Sequence, residues 1–315
     1  MEKKILKTVT RTQGNNQAIK DGSVKPNTFE FDFEEVPVLV QAFRRMVRNL
    51  EFDVCEMAIT TYLCAKEHGK KFTALPIFLV RGFHQEAIFI NANSNIKSPQ
   101  DLQGGKVGVN RGYTVTTGVW ARGILGESYG VDLNSITWVL SGDEHVAEYK
   151  APTNVTSMSK DTTLEEMLIN GELDAAIGIE SSNPSIKPMI DDATEVGFKS
   201  LKDTGLYPIN HLVVVKDQLI ADYPDLAEDV FNTFAKAKEI YVAKLRAGEI
   251  SQPNKTDQMY HRVMEVTGAD PLPYGVEPNR FNIEKLVDYA MGQSIITRRP
   301  SMEEIFVPST LNLTA

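Results

Sequence analysis

The chain has 315 residues, of which 42% are hydrophobic and 24% are charged, and its formal net charge is −9 at pH 7. This length suits two domains of ordinary size, and the composition excludes a disordered or membrane-embedded chain. The acidic balance argues against a nucleic-acid partner, because phosphate backbones bind basic surfaces. A small anionic ligand remains compatible with it, since a local cationic pocket can override the mean charge.

The first residues, MEKKILKTVTRTQG, lack the apolar segment of a secretory leader. No stretch of the sequence approaches the roughly 18 apolar residues that a membrane helix needs. A cytoplasmic location is therefore expected, with a periplasmic one as the alternative if a leader has been removed. The two cysteines, Cys55 and Cys64, flank one strand-to-helix junction and are expected to be buried free thiols.

The first part of the chain is predicted to alternate strands and helices, because apolar residues recur at the spacing of each. In chain order the predicted elements are strands at 6–10 and 28–33, a helix at 38–49, a strand at 52–54 that runs into a helix ending near residue 69, and strands at 72–75 and 87–90.

The central part follows a polar stretch at 91–95 that suits a crossover between two lobes. The predicted elements here are a strand at 106–109, a helix from residue 116, a strand at 136–140, a helix at 164–168 with Thr162 or Thr163 as its N-cap, a buried strand at 173–179 and an extended piece at 193–198.

A second crossover is predicted at 204–208. The elements after it are a strand at 212–215 and helices at 221–247, 256–266 and 280–293. Alternating strands and helices indicate an α/β fold, and a chain that leaves one lobe and later returns indicates two lobes. We expect residues 1–91 and 208–315 to form a discontinuous first lobe and residues 92–207 the second. The ligand is expected in a cleft between them, at the carboxyl ends of strands.

The loop before the helix at residue 116 is a candidate seat for a carboxylate. Free N–H groups and the positive end of a helix dipole favour an anion at such a point. The carboxylate could also bond to the hydroxyls of Thr116 and Thr117 and to Arg111, and Tyr113 and Thr114 belong to the same loop. The alternative is that Thr116 or Thr117 is a plain N-cap.

Several motifs resemble those of known proteins. DLQGGKVGV, preceded by IKSPQ, resembles the entry to the second lobe of type 2 periplasmic-binding-protein folds. FDVCEMAITTYL, LPIFLVRGF, TTGVWARGILGESYGVDLNSITWV, MLINGELDAAIG, TGLYPINH, PYGVEPNR and RRPSMEEIF resemble 4,5-dihydroxyphthalate decarboxylases in order and spacing. The resemblance covers nearly the whole chain. It implies a two-lobed type 2 periplasmic-binding-protein-like fold.

The resemblance also implies a cofactor-independent, non-oxidative loss of one carboxylate from a dihydroxylated aromatic diacid, a step in the catabolism of aromatic compounds. Loss of CO2 leaves charge on a ring carbon unless that carbon is protonated first. Such a site needs a carboxylate anchor, a proton donor tuned near neutrality and a group that polarises the phenol.

The hypothesis assigns the carboxylate anchor to Thr116, Thr117 and Arg81. Tyr274, which lies in the PYGVEPNR motif, is added to the substrate-binding residues. The alternative for Arg81 is an ion pair with a surface acid.

The proton donor is assigned to His211 or His84, with Glu56 or Glu180 orienting the histidine or accepting a phenolic proton. Each has a structural alternative: His211 could be a core histidine, His84 a solvated loop residue, and Glu56 the cap of the following helix. A metal ion held by these four side chains would have to be assembled from distant segments, and none is predicted.

The chain departs from the decarboxylases at two places. It carries His84, Gln85 and Glu86 where those enzymes tend to have an Arg-His-Ser run, and its loop NRGYTVTT is longer than theirs. A second class of protein therefore stays open, a solute-binding protein that closes on a small carboxylate for a transporter or a sensor and performs no reaction. The long C-terminal helices are compatible with a homo-oligomer.

Overall fold

The computed structural model describes residues 3–315. The chain forms two compact units, each with its own sheet. The first unit consists of Met1–Gly82, Ile209–Glu284 and Pro300–Ala315, and the second of Phe83–Pro208 and Lys285–Arg299. The predicted boundaries had assigned residues 83–91 and 285–299 to the first lobe, whereas both segments belong to the second unit.

Strands and helices alternate along most of the chain. The strands are β1 (Lys4–Val9), β2 (Phe29–Phe33), β3 (Val54–Ala58), β4 (Phe72–Arg81), β5 (Ile88–Asn91), β6 (Lys106–Val109), β7 (Thr137–Leu140), β8 (Val155–Ser157), β9 (Ala175–Ile177), β10 (Ile186–Pro188) and β11 (Ile209–Lys216). The helices are α1 (Gln17–Lys20), α2 (Leu39–Asn49), α3 (Ile59–Glu67), α4 (Thr116–Tyr129), α5 (Leu164–Ile169), α6 (Ala193–Thr204), α7 (Asp217–Asp222), α8 (Leu226–Ala247), α9 (Lys255–Thr267), α10 (Arg280–Gly292) and α11 (Met302–Ile305).

The sheet of the first unit has the strand order β2-β1-β3-β11-β4. Strands β1, β2 and β3 are parallel, whereas β11 runs antiparallel to both of its neighbours, β3 and β4. All five residues of β3 are buried, because the strand has a neighbour on each side and is covered on both faces. Strand β11 lies between β3 and β4 and so brings a distant part of the chain into this sheet.

The sheet of the second unit has the strand order β10-β5-β9-β6-β7-β8. Its strands β6, β7, β8 and β9 are parallel, and β5 is antiparallel to β9 and β10. The carboxyl ends of the four parallel strands consequently share one edge of the sheet. Asn110, Ser141, Met158 and Gly178 each follow one of these strands directly.

Strand β6 and the start of α4 lie where the sequence predicts them. Thr163 is the N-cap of α5, and its side chain forms a capping box with Glu166. The extended piece predicted at 193–198 is wrong, because these residues belong to helix α6. Its buried residues Ala193, Gly197 and Leu201 recur every fourth position, a helical pattern that the β-branched residues between them obscured.

Both cysteines are free and buried, as expected. Burial raises the pKa of the Cys55 thiol well above its usual range, which keeps this thiol protonated and unreactive. Among the helices of residues 3–315, none is both long enough and apolar enough to cross a bilayer.

One buried carboxylate holds the loop between α1 and β2. Asp229 in α8 accepts hydrogen bonds from the backbone N–H groups of Asn27 and Thr28, at 2.9 and 2.7 Å, and from the Thr28 hydroxyl, at 2.7 Å. A carboxylate with only 7% of its surface exposed needs such donors, because burial removes its hydration.

We predict that Asp229→Ala lowers the free energy of unfolding by about 2 to 3 kcal/mol, because it leaves these buried donors without an acceptor. Urea denaturation measures the change. Glu228→Ala is the matched control, since Glu228 is the adjacent, exposed acid of the same helix. Equal losses in the two variants would contradict the role given to Asp229.

Candidate functional site

Glu56 and His211 form a hydrogen-bonded pair in the centre of the first sheet. The Nδ1 atom of His211 lies 2.7 Å from Oε1 of Glu56. Glu56 belongs to β3 and His211 to β11, where Val213 is the residue opposite Glu56. The two side chains are therefore diagonal neighbours on one face of the sheet, which explains their contact.

The surroundings of this pair hold both side chains in place. Oε2 of Glu56 accepts a hydrogen bond of 2.8 Å from the backbone N–H of Arg11, and Glu56 has no exposed surface. The ring of Phe43 packs edge-on against the imidazole, with 5.2 Å between the centroids. With Glu56 ionised, Nδ1 of His211 donates this hydrogen bond, and Nε2 is left for another partner.

His211 is not a core histidine, because 16% of its side chain is exposed. Glu56 is not a helix cap, since Ala58 is the N-cap of α3 and no side chain caps that end. A half-buried imidazole held by a buried carboxylate is an arrangement suited to proton transfer.

Arg81 is the last residue of β4 and is 4% exposed, so the alternative of a surface ion pair is wrong. Its Nη1 donates to Oδ1 of Asn279 at 2.6 Å. Asn279 in turn donates to the carbonyl oxygens of Pro273 and Gly275, at 2.8 and 2.9 Å. The PYGVEPNR motif thus fixes a buried guanidinium, and β4 places it on the strand next to His211.

Tyr274 lies in the same motif and is fully buried. Its hydroxyl has no hydrogen-bond partner among residues 3–315. The ammonium of Lys238 lies 5.3 Å from the centroid of its ring, and burial raises the pKa of the phenol well above its usual range. Tyr274 is therefore a neutral phenol.

The loop after β1 contributes polar groups that sequence reasoning missed. A cavity of about 410 Å³ lies beside this loop. Its lining comes from three segments, Arg11–Asn15 of the loop, Tyr241 of α8, and Asn254–Asp257 with Tyr260 around the start of α9. The available signal was the run TQGNN directly after a predicted strand, because ligands of α/β proteins bind at the carboxyl ends of strands.

In the second unit the predicted carboxylate seat already holds a carboxylate of the chain itself. Glu144 accepts hydrogen bonds from the backbone N–H groups of Tyr113 and Thr114 and from the Thr114 hydroxyl, the last at 2.6 Å. Val115, not Thr116 or Thr117, is the N-cap of α4, so the plain N-cap alternative is wrong. The loop thus does bind an anion, and sequence reasoning did not identify Glu144 as its occupant.

A buried arginine, Arg122, packs against this loop. The guanidinium carbon of Arg122 lies 3.8 Å from the centroid of the Tyr113 ring, and its Nη2 donates to the Tyr113 carbonyl at 2.6 Å. Its Nε donates to Oε1 of Gln293 at 2.7 Å. Arg111, by contrast, is exposed and has a left-handed backbone, with φ of 71°. Sequence reasoning selected the exposed arginine and missed the buried one.

His84 is buried rather than solvated, with 4% of its surface exposed. Its ring is parallel to that of Trp120, at 6.4 Å between centroids. Glu180 is exposed and lines a second cavity, of about 560 Å³, at the carboxyl ends of β6 to β9. Within residues 3–315 no three His, Cys, Asp or Glu side chains lie close enough to hold one metal ion.

Comparison with known proteins identifies relatives among enzymes. No family model matches the chain. The 4,5-dihydroxyphthalate decarboxylase of Comamonas testosteroni is 26% identical over 288 residues, which cover 86% of this chain and 87% of that protein. The enzyme of the same name from Pseudomonas putida is 34% identical over 146 residues, which cover 44% of this chain and 56% of that protein. The resemblance to these decarboxylases is confirmed.

Comparison with solved structures identifies the fold. The periplasmic aliphatic sulphonate binding protein SsuA of Escherichia coli matches with a TM-score of 0.56 and 11% identity, over 99% of this chain and 100% of that one. The desulfurization enzyme DszB matches with a TM-score of 0.53 and 13% identity, over 98% of each chain. The predicted periplasmic-binding-protein fold is confirmed, and this fold serves both a binding protein and an enzyme.

We predict that Glu144→Gln loosens the loop before α4, because it removes the negative charge that accepts three hydrogen bonds. The free energy of unfolding should fall by about 1 to 2 kcal/mol, and the amides of Tyr113 and Thr114 should exchange faster with solvent. Glu172→Gln, a change at an exposed acid of the same unit, is the control. Unchanged exchange at both amides in Glu144→Gln would contradict this contact.

Proposed function

We propose that the chain is a non-oxidative decarboxylase that acts on a hydroxylated aromatic acid of the 4,5-dihydroxyphthalate kind. The observation that carries the proposal is the hydrogen bond between buried Glu56 and half-buried His211. The similarity to two decarboxylases supports the choice of reaction. A histidine held in this way meets the need of the reaction for a proton donor.

The proposed reaction begins with transfer of a proton from Nε2 of a protonated His211 to the ring carbon that bears the departing carboxylate. A hydroxyl para to that carbon donates electron density and stabilises the positive ring. The bond between ring and carboxylate then breaks, its electron pair restores the aromatic ring, and CO2 leaves. A 4,5-dihydroxyphthalate would give 3,4-dihydroxybenzoate, and the proton that His211 lost returns from solvent.

In this mechanism Glu56 is the positioning residue of the pair. Its carboxylate fixes the imidazole through Nδ1–H, and its negative charge stabilises the ring of His211 while that ring carries a positive charge. Because Glu56 bonds to His211 directly, the alternative assignment of this role to Glu180 is not needed. His84, which stacks on Trp120, stays the alternative proton donor.

We propose Arg81 as the anchor of a substrate carboxylate, because its buried guanidinium is fixed on the strand beside His211. Thr116, Thr117, Arg111, Tyr113, Thr114 and Tyr274 stay predicted substrate-binding residues. A substrate carboxylate that used the N–H groups of the α4 loop would have to displace Glu144, since that side chain bonds to them now.

The alternative, a solute-binding protein without chemistry, uses the same fold in the sulphonate-binding SsuA. The Glu56–His211 pair favours the enzyme, because ligand binding alone does not need a proton donor. Native mass spectrometry with 4,5-dihydroxyphthalate separates the two, since a binding protein keeps its ligand intact and an enzyme leaves a product lighter by one CO2. A cytoplasmic location and a homo-oligomer stay predictions.

We predict that His211→Ala lowers kcat for CO2 release from 4,5-dihydroxyphthalate by about 100-fold or more, because the proton donor is lost. KM should change little, since the imidazole is not assigned to binding. Progress is followed by CO2 trapping or by the ultraviolet spectrum of the product.

His261→Ala is the matched control for this experiment. His261 also faces a glutamate, Glu265 at 3.4 Å, but the side chains of that pair are 50% and 63% exposed and lie on α9. Its kcat should equal that of the wild type. Turnover of His211→Ala at the wild-type rate would refute the assignment, and a wild-type protein that binds the substrate without releasing CO2 would refute the proposed function.

A further inference from the structure

The carboxylate that holds His211 is itself held by the loop that follows β1. Oε2 of Glu56 accepts a hydrogen bond from the backbone N–H of Arg11, while Oε1 faces Nδ1 of His211. The N–H of Arg11 belongs to the peptide group that joins Thr10 to Arg11. The position and polarity of this one peptide group therefore determine how well Glu56 is bonded on the side away from the histidine.

The carbonyl of the same peptide group accepts a hydrogen bond from a lysine. Nζ of Lys20 lies 2.6 Å from the carbonyl oxygen of Thr10. The carbonyl and the N–H of a trans peptide group point in opposite directions. The ammonium group of Lys20 and the carboxylate of Glu56 therefore lie on opposite sides of one trans peptide group, and each bonds to it.

The surroundings of Lys20 fix its side chain in this place. Lys20 is the last residue of α1, and only 7% of its side chain is exposed. Its Nζ also lies 2.5 Å from Oε1 of Glu35 and 4.9 Å from the centroid of the Phe33 ring. The Glu35 side chain is 66% exposed, so water screens this ion pair more strongly than it screens the bond to the buried Thr10.

A second side chain holds the loop without the help of Lys20. Asn16 is 1% exposed, and its Nδ2 donates to the carbonyl of Arg11 at 2.8 Å. Its Oδ1 accepts a hydrogen bond of 2.8 Å from the backbone N–H of Gln13. A change at Lys20 would thus alter the charge beside the peptide group while these contacts of the loop remain.

A cation at one end of a peptide group affects the bond at the other end, because hydrogen bonds in a chain polarise one another. The ammonium group of Lys20 draws electron density towards the carbonyl and makes the N–H of Arg11 a better donor. Glu56 is then better satisfied at Oε2 and bonds less strongly to the imidazole at Oε1. The charge of Lys20 thus reaches His211 through two hydrogen bonds and a shared carboxylate.

We propose that Lys20 is a positioning residue for the proton donor and acts on His211 through the Thr10–Arg11 peptide and Glu56. Without this support, Glu56 would stabilise the positively charged ring of His211 more strongly, and the proton on Nε2 would leave it less readily. This inference rests on the proposed function for the role of His211 as proton donor.

The test is Lys20→Met, observed by NMR on protein labelled with nitrogen-15. The amide proton of Arg11 should move upfield, because its bond to Glu56 weakens. The Nδ1 proton of His211 should move downfield, because Glu56 then bonds to it more strongly. With 4,5-dihydroxyphthalate, kcat for CO2 release should fall by about threefold to tenfold, a small part of the loss expected without the proton donor. KM should change little.

Lys20→Arg should restore both resonances and kcat, because it keeps a cation that can donate to Thr10. Lys25→Met is the matched control, since Lys25 is an exposed lysine in the loop that follows α1, and it should change neither resonance nor kcat. Thermal denaturation shows whether each variant folds. If Lys20→Met does not fold, Lys20→Gln decides the test, because it keeps an amide donor and removes the charge.

Wild-type positions of both protons in the folded Lys20 variant would overturn the inference, as would equal shifts in Lys25→Met. Shifts of both protons without a fall in kcat would overturn it as well. In each case CO2 release by the wild type would leave the proposed function standing. Opposite shifts of the two protons in a protein that releases no CO2 would keep the hydrogen-bonded chain and remove the proposed reaction.

Discussion

The bond between Glu56 and His211 is the interaction on which the rest of the site depends. A carboxylate without exposed surface loses its hydration, and it is stable as an anion only when donors replace the lost water. Here the donors are one backbone N–H, from Arg11, and one imidazole N–H. Loss of either donor would leave the buried charge of Glu56 with too few hydrogen bonds. The same contacts therefore stabilise the fold and fix the orientation of the His211 ring.

The strand order of the first unit explains how Glu56 and His211 come into contact. Strand β11 returns between β3 and β4, and its antiparallel register sets His211 diagonally across from Glu56. Strand β4 ends at Arg81, whose guanidinium is fixed by the turn that contains Asn279. The proposed proton donor and the proposed carboxylate anchor thus come from neighbouring strands of one sheet. Side chains on strands are held more firmly than those on loops, which favours catalysis by positioning.

In the second unit the loop before α4 binds a carboxylate, as predicted, but that carboxylate belongs to the chain itself. The backbone N–H groups of Tyr113 and Thr114, which precede the N-cap Val115, bind a carboxylate. Glu144 supplies it, 30 residues further along the chain from Thr114. Buried Arg122 adds a positive charge beneath the same loop. Anions are therefore favoured at this loop, and a ligand carboxylate there would compete with an internal one.

Local sequence patterns predict much of the fold but few of the contacts in the candidate site. The periodicity of apolar residues was sufficient for β6 and for the start of α4, because these depend on neighbours in the sequence. It failed at 193–198, where β-branched residues hid a helix. The partnership of Glu56 and His211 spans 155 positions. Sequence reasoning could select both residues from their places beside predicted strands, yet only the strand order could show which acid holds the histidine. The same limit hid Arg122, since its partner Gln293 lies 171 positions further along the chain.

The most direct test of the central claim is the hydrogen bond at Nδ1 of His211, observed by NMR on protein labelled with nitrogen-15 in histidine. We expect a proton on Nδ1 with a downfield resonance, and we expect this resonance to be lost or shifted clearly upfield in Glu56→Gln. An Nδ1 without a proton, or a spectrum that is the same in Glu56→Gln, would contradict the account.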